Sequence, residues 1–412
     1  MPITGKAMRR TRAVDLGGLN WVQPDLVQQR LDEGYGLPAR FHTDPAIEVL
    51  EDEYIFKPSW QMACTLGDVR EPGDFVTAQL GKYPVIVVRN EDNQLGAFLN
   101  VCSHRGMIVA EEREGNCKAF TCRYHGWRFG LDGGLQRAPG WALSAGGSGD
   151  TRRPVLPKAE TLGLRPLSLD IWAGIVFVSI APEQSLMDSL GELPELAQQV
   201  AYSEPFVDDE MTFVSEWHFD NKANWKAVAH QTMECYHCPT SHPKSLAPLF
   251  KLDDNNFRAR VAPRANHIST SFRDGIRGVV GEDTGQELEE HVKRSGELPF
   301  QQLWGYPNTF LSFGIGVGVT AGRLDPLGPD ASRLTVRYYA RASEREMQSG
   351  IDALFDQVVS EDVDIIAKVQ QGFRTGLIDP GPELHDREAT VRGFDRDYWS
   401  AMLPAFDRVG NA

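Results

Sequence analysis

Apolar and polar positions follow two different periods along the chain, and the change of period divides it. Between about 50 and 180 the apolar runs are short and rich in β-branched residues. Pro84-Val85-Ile86-Val87-Val88-Arg89, the polar Asn90-Glu91-Asp92-Asn93 and Leu95-Gly96-Ala97-Phe98-Leu99 predict a hairpin. The run Trp172–Val178 predicts a strand closing this β region, and the Gly/Ser-rich 139–154 predicts a loop. Residues 1–45 read as an irregular or helical arm. After 180 the pattern changes. A helical stretch covers roughly 184–203, and a strand at Met211–Val214 leads to a helix from about Asn221 with Asp220 as its N-cap. Two apolar β runs in 309–342 flank the turn Asp325-Pro326-Leu327-Gly328-Pro329-Asp330. Strands with segregated helices predict an α+β protein. It divides into an arm (1–50), a β-rich domain (51–180) and a larger domain with an antiparallel sheet flanked by helices (181–412).

A long amphipathic helix is predicted from Ser343 to about Phe373. Ile351, Leu354, Phe355, Val358, Val359, Ile365, Ile366 and Val369 recur in steps of three and four and form one apolar stripe. Asp362 lies within it, four after Val358 and three before Ile365. Asp352, Asp356, Glu361 and Asp364 fall mainly on the polar side. A carboxylate on a core-facing stripe is costly unless it is paired or binds a metal.

Composition narrows the class of partner. Hydrophobic residues are 41% and charged residues 24% of the chain, ordinary for a globular protein. The net charge of −15 disfavours nucleic acid and anionic membrane as partners. No apolar run approaches the ~18 residues of a membrane span, and no apolar signal core follows Arg9-Arg10, so a cytoplasmic location is expected. In a reducing compartment the six cysteines, several of them close to histidines, read as metal ligands rather than disulfides.

Two ligand pairs lie in residues 100–130. Cys102-x-His104 and Cys122-x-x-His125 are separated by seventeen residues, and a glycine (Gly106, Gly126) follows each histidine. Two thiolates and two imidazoles hold zinc, or a 2Fe-2S cluster with both histidines on one iron. A second group lies in NWKAVAHQTMECYHCPTSHP, residues 224–243. Glu234 and His237 are three apart and share a face on a helix. Pro239 is expected to stop that helix, and His242 returns from the following turn. Two histidines and one carboxylate make a facial triad that leaves positions open for dioxygen at ferrous iron, and Asp362 is the candidate carboxylate. Cys235-x-His237-Cys238-x-x-x-His242 also admits zinc, and otherwise the two cysteines are small packing residues.

The motif CSHRG…CRYHGW resembles the Rieske iron–sulfur motif, with Arg105, Tyr124 and Trp127 among its usual neighbours. NWK…ECYHCPTSHP, with SEDVDIIAKVQQG far downstream, resembles the catalytic domain of Rieske non-haem iron oxygenases. The resemblance implies a 2Fe-2S cluster on Cys102, His104, Cys122 and His125, and mononuclear Fe(II) on His237, His242 and Asp362. It implies dioxygen as co-substrate, and electrons from NAD(P)H through a partner reductase and in some cases a ferredoxin. It further implies a ring of three subunits, with or without a beta subunit. Electrons would pass from His104 of one subunit through Glu234 of the next to His237. Outer positions are assigned to Trp127, Asn224 and His230. His230 and Gln231 stand where many relatives carry an acidic residue and Asn, and His230 is expected to hydrogen-bond Glu234 or to pack. The expected reaction is mono- or cis-dihydroxylation of a small aromatic or alicyclic compound, as in aromatic hydrocarbon catabolism. The alternative is demethylation or hydroxylation of a quaternary ammonium or methoxy compound, for which Trp304, Tyr306, Phe310 and Phe313 are candidates for an aromatic cage. A pure electron carrier is the remaining reading.

Overall fold

The computed structural model describes residues 18–142, 154–200, 211–248, 250–251, 257–272, 286, 290, 300–314, 318–341 and 348–407. The loop expected at 139–154, the start of the arm and the start of the helix expected at Ser343 lie largely outside these residues. Among the described residues ten strands follow the arm: β1 Gln61–Thr65, β2 Asp74–Leu80, β3 Tyr83–Arg89, β4 Leu95–Leu99, β5 Glu114–Asn116, β6 Phe120–Thr121, β7 Arg128–Phe129, β8 Leu135–Arg137, β9 Pro166–Trp172 and β10 Ile175–Ser179. Seven form an antiparallel sheet in the order β1-β10-β9-β4-β3-β2-β5, while β6, β7 and β8 make a small separate ladder. The expected hairpin is β3–β4, with Val87 opposite Ala97. Val85 to Val88 are all buried, which suits a continuous apolar run. The closing strand predicted at 172–178 is instead a hairpin. Ala173 and Gly174 take φ of 51° and 79°, so the chain reverses and Trp172 pairs with Ile175.

The second sheet contains β11 Thr212–Asn221, β12 Phe250–Lys251, β13 Phe257–Ala262, β14 Ala265–Phe272, β15 Phe300–Gly305, β16 Thr309–Gly314, β17 Gly318–Gly328 and β18 Ala331–Ala340. Its order is β11-β18-β17-β16-β15-β14-β12, with β13 also on β14. Two expectations are corrected here. The 309–342 region holds three strands, not two, because the chain also reverses between β16 and β17, with Gly314 opposite Gly318; β17 then runs on through Asp325-Pro326-Leu327, and the expected turn is confined to Pro329-Asp330. The strand expected at 211–214 reaches Asn221, so Asp220 caps nothing and its carboxylate pairs with Arg333 across the sheet.

The helices are α1 Pro24–Asp32, α2 Pro45–Glu51, α3 Leu186–Leu190, α4 Leu193–Val200, α5 Trp225–Met233, α6 Cys238–Ser241, α7 Gln348–Arg374 and α8 Ala389–Asp407. Asn224 starts α5, its side chain accepting the Lys226 N–H at 3.1 Å. Arm residues Leu37, Phe41 and Leu50 pack with Trp225, Phe394, Tyr398 and Trp399 in one core. Trp304, Tyr306 and Phe310 belong to that core, so these three do not form an aromatic cage. Among the described residues no helix is long and apolar enough to cross a membrane.

A buried ion pair ties the arm to α5. Lys226 Nζ lies 2.5 Å from Glu51 Oε1, and the Trp225 indole and Tyr398 hydroxyl donate to the same carboxylate at 2.8 and 2.7 Å. Both charged side chains are buried. Lys226→Met leaves Glu51 charged and unpaired, and is expected to cost about 3–5 kcal/mol of unfolding free energy in urea melts. Adding Glu51→Gln is expected to recover most of that loss. Full additivity of the two substitutions would show that they act independently.

Candidate metal centres

The first group is built on two loops of the same design. In one, Cys102 N–H donates to Met107 O at 2.8 Å and Gly106 N–H to Cys102 O at 2.9 Å. In the other, Cys122 N–H donates to Trp127 O and Gly126 N–H to Cys122 O at the same distances. Gly106 and Gly126 carry φ of 75° and 70°, a left-handed conformation that costs glycine nothing. The loops bring the four candidate ligands together. Cys102 and Cys122 are unbridged, buried and in hydrogen-bonding relation, whereas His104 and His125 are exposed with ring centroids 4.7 Å apart. Burial pushes the Cys102 thiol up, and burial with the charges of His125 and Arg105 holds the His104 imidazole down. The His104 ring stacks on buried Trp127, 4.7 Å away and within 2° of parallel, and Tyr124 covers His125 at 3.8 Å. Two inner sulfurs and two outer imidazole nitrogens are a donor set that suits a 2Fe-2S cluster.

The second group is organised by a break in the helix. Helix α5 ends at Met233 and Glu234 is extended, with φ −131° and ψ 169°. The helix expected to carry Glu234 and His237 on one face therefore does not exist. The Glu234 carboxylate instead accepts the N–H groups of Tyr236 and His237, and its Oε1 lies 2.5 Å from His237 Nδ1. This local bonding competes with helix and wins. Pro239 does not end a helix but stands in the first turn of α6, where its missing N–H is harmless.

Asp362 comes in from α7, as the apolar stripe predicts. Its Oδ1 is 3.0 Å from His242 Nε2 and 3.5 Å from His237 Nε2. The outer nitrogens are held by carboxylates: His237 Nδ1 by Glu234, and His242 Nδ1 by Glu361 Oε2 at 2.7 Å. Both Nε2 atoms are thus aimed at one point. Glu361, placed on the polar side by periodicity, also accepts the Ser245 hydroxyl at 2.6 Å. Gln231 Nε2 donates to Asp362 Oδ1 at 2.7 Å. Burial pulls the His237 imidazole down, but the hydrogen bonds and charges of Asp362 and Glu234 outweigh it and hold it up to about 10. Burial raises Asp362, but both histidines bring it below the usual carboxylate range. Three carboxylates around two imidazoles ask for a cation, and two Nε2 atoms with one carboxylate oxygen fit the ferrous facial triad.

Three further expectations change. His230 does not bond Glu234. Its Nε2 lies 2.7 Å from Asp395 Oδ1, and Asp395 Oδ2 accepts the Leu37 N–H at 3.0 Å, so this pair links α5 to α8 and the arm. Asn224 is the α5 cap, with its own N–H on Gln370 Oε1 and its amide on Pro329 O, and its contacts are with structure rather than with the histidines. Cys235 and Cys238 are neither free packing residues nor zinc ligands but form a disulfide. A cavity of about 640 Å³ lies between the two sheets, but none of the candidate ligands lines it. Its buried arginines Arg323 and Arg337 are paired with Asp325, Asp68 and Glu216, so it is a charge-balanced interface.

Comparison with known proteins agrees with this geometry. Residues 59–144 match the Rieske [2Fe-2S] domain, and residues 208–403 match the ring hydroxylating alpha subunit (catalytic domain). The chain is 27% identical over 417 residues to the glycine betaine monooxygenase oxygenase subunit of Chromohalobacter salexigens, covering 93% of this chain and 89% of that one. It is 28% identical over 375 residues to the chloroplastic choline monooxygenase of Spinacia oleracea, covering 88% and 77%. A solved quaternary ammonium Rieske monooxygenase, whose structure bears on carnitine oxidation by gut microbiota and inter-subunit electron transfer, superposes with a TM-score of 0.72 at 20% identity. That match covers 93% of this chain and 98% of that one. Cluster and mononuclear iron are the cofactors of such proteins. The chain belongs to the Rieske non-haem iron oxygenases, as an alpha subunit that joins a Rieske 2Fe-2S domain to a ring-hydroxylating catalytic domain.

Proposed function

We propose that this oxidoreductase inserts one oxygen atom of dioxygen into a C–H bond of a small quaternary ammonium compound, the second atom leaving as water. Two electrons and two protons complete the balance, the electrons coming from a partner reductase. When bound, the cluster passes electrons singly and ferrous iron activates dioxygen. In this reading Cys102, Cys122, His104 and His125 hold the cluster, and His237, His242 and Asp362 hold the iron. Glu234 and Glu361 fix the outer nitrogens and so the tautomers of the two iron-side histidines. Gln231 orients Asp362. The exposed His104 ring suits a path into a neighbouring subunit, ending on Glu234, and the trimer that the resemblance implies is an assembly that would provide it. Inter-subunit transfer in a solved relative supports that path.

The observation that carries the reading is the convergence of the two Nε2 atoms on Asp362 Oδ1. A pure electron carrier has no use for it. The substrate class rests on relatives named for glycine betaine and choline, which support the quaternary ammonium alternative over an aromatic or alicyclic substrate. The acidic balance of the chain also favours a cation. Purified enzyme with a surrogate reductase is offered glycine betaine, choline, carnitine, benzoate and naphthalene. Oxygen uptake matched by a hydroxylated or dealkylated product is expected with at least one of the three ammonium compounds. Turnover of the aromatic compounds alone would refute the substrate class.

A further inference from the structure

We propose that Cys235 and Cys238 form a thiol-redox modification site that sets the coordination of the adjacent metal centre. The proposal rests on the reading of His237, His242 and Asp362 as a metal site. The disulfide encloses Tyr236 and His237, and so spans one of the candidate ligands. It closes a loop of only three residues' separation, which gives little chain-entropy stabilisation, so a purely structural purpose is weak. Its two sulfurs are unequal. Cys238 is buried in a small apolar cluster with Phe250, whereas Cys235 is partly exposed beside the outward-facing Tyr236. Cys238 Sγ lies 3.9 Å from His237 Nε2, and one donor atom each from His237, Cys238 and His242 fall within 4.8 Å of one another.

The chemistry follows from this asymmetry. The thiolate of an external dithiol reductant attacks the accessible Cys235 sulfur, forms a mixed disulfide there and expels Cys238 as thiolate. The second thiol of the reductant then releases Cys235 and leaves as the reductant's disulfide. The two cysteines have gained two electrons; of the reductant's two protons, one ends on Cys235 and the other is released, Cys238 remaining a thiolate. In the disulfide, Cys238 sulfur is a poor donor, and the site offers two imidazoles and one carboxylate with positions open. As a thiolate it is a strong, soft donor within reach of the same ion. The set becomes two nitrogens, one sulfur and one oxygen, a closed four-donor arrangement that zinc favours and that leaves less room for dioxygen. The disulfide is thus the oxygenase-competent state, and the dithiol the closed one.

Protein with its cluster intact, stripped of mononuclear iron and refilled with zinc, tests this by zinc K-edge absorption, which does not see the cluster iron. Oxidised protein is expected to show only nitrogen and oxygen neighbours. After reduction with a phosphine one sulfur neighbour at about 2.3 Å is expected. Cys238→Ser should lose that neighbour in both states, and Cys235→Ser should show it without reductant. Alkylation and peptide mapping should find residues 235 and 238 linked before reduction and both blocked after it. Zinc held without sulfur in reduced wild-type protein overturns the switch and leaves the metal site standing. Thiols free before any reduction overturn it as well. Failure to retain zinc in either state instead removes the metal-site reading on which the switch rests. The comparison within wild-type protein stands even where a variant does not fold.

Discussion

Asp362→Ala is expected to lower substrate-dependent oxygen uptake by more than about 100-fold, the upper range for loss of a mere outer-shell partner. The geometry gives the reason. Asp362 Oδ1 is the point on which His237 and His242 both converge, and Gln231 donates to the same oxygen. Without it two imidazoles remain, and two neutral ligands hold ferrous iron weakly. The cluster domain should be untouched, because Asp362 lies on α7 and the cluster ligands lie in the loops after β4 and β6. The visible absorbance of the cluster and its reduction by the reductase should therefore match wild type, while mononuclear iron falls. Wild-type turnover with a full complement of mononuclear iron in the variant would refute the assignment of all three ligands, since an open site cannot spare its only carboxylate donor.

Some of this site was legible in the sequence because it depends on short-range order. The two cluster loops declare themselves by ligand spacing and by glycines that the structure shows at positive φ. Asp362 declares itself because helical periodicity sorts residues by face, and a carboxylate among Val358, Ile365 and Ile366 is out of place. The same logic hid Glu361. Periodicity puts it on the polar side, yet a long side chain at the edge of the stripe reaches His242. The break after Met233 was hidden for a different reason. Nothing in a three-residue spacing says that Glu234 will satisfy the Tyr236 and His237 N–H groups and so replace a turn of helix. His230 was read against neighbours on its own helix, but its partner Asp395 is 165 positions away, a contact only tertiary packing creates. The disulfide is not legible because a reducing compartment argues against it and the two-residue gap between Cys235 and Cys238 does not by itself demand it.

In the proposed reading Glu234 decides whether the two centres work as a pair. Its carboxylate holds His237 Nδ1 and two backbone N–H groups of the ligand loop, so it both orients the imidazole and shapes the turn. Glu234→Gln retains an acceptor and nearly the same shape but removes the charge. Glu234→Ala removes both. Turnover is expected to fall about 10-fold in the first and about 100-fold in the second, the span typical for partners of metal-binding histidines. Mononuclear iron should be retained in Glu234→Gln, and the cluster, once reduced, should be reoxidised about 10-fold more slowly than in wild type when dioxygen and substrate are added. Slowed reoxidation of the cluster beside a filled iron site separates impaired electron transfer from lost metal. The proposed route across subunits makes a second demand. Chains with Asp362→Ala keep a working cluster, and chains with Cys122→Ala keep a working iron site. Each alone should be inactive. Refolded or co-expressed together, they should regain activity wherever a cluster of one faces the iron of the other. If mixed oligomers form and remain inactive while each variant keeps its own intact centre, electrons do not cross the interface, and Glu234 serves His237 within its own chain alone.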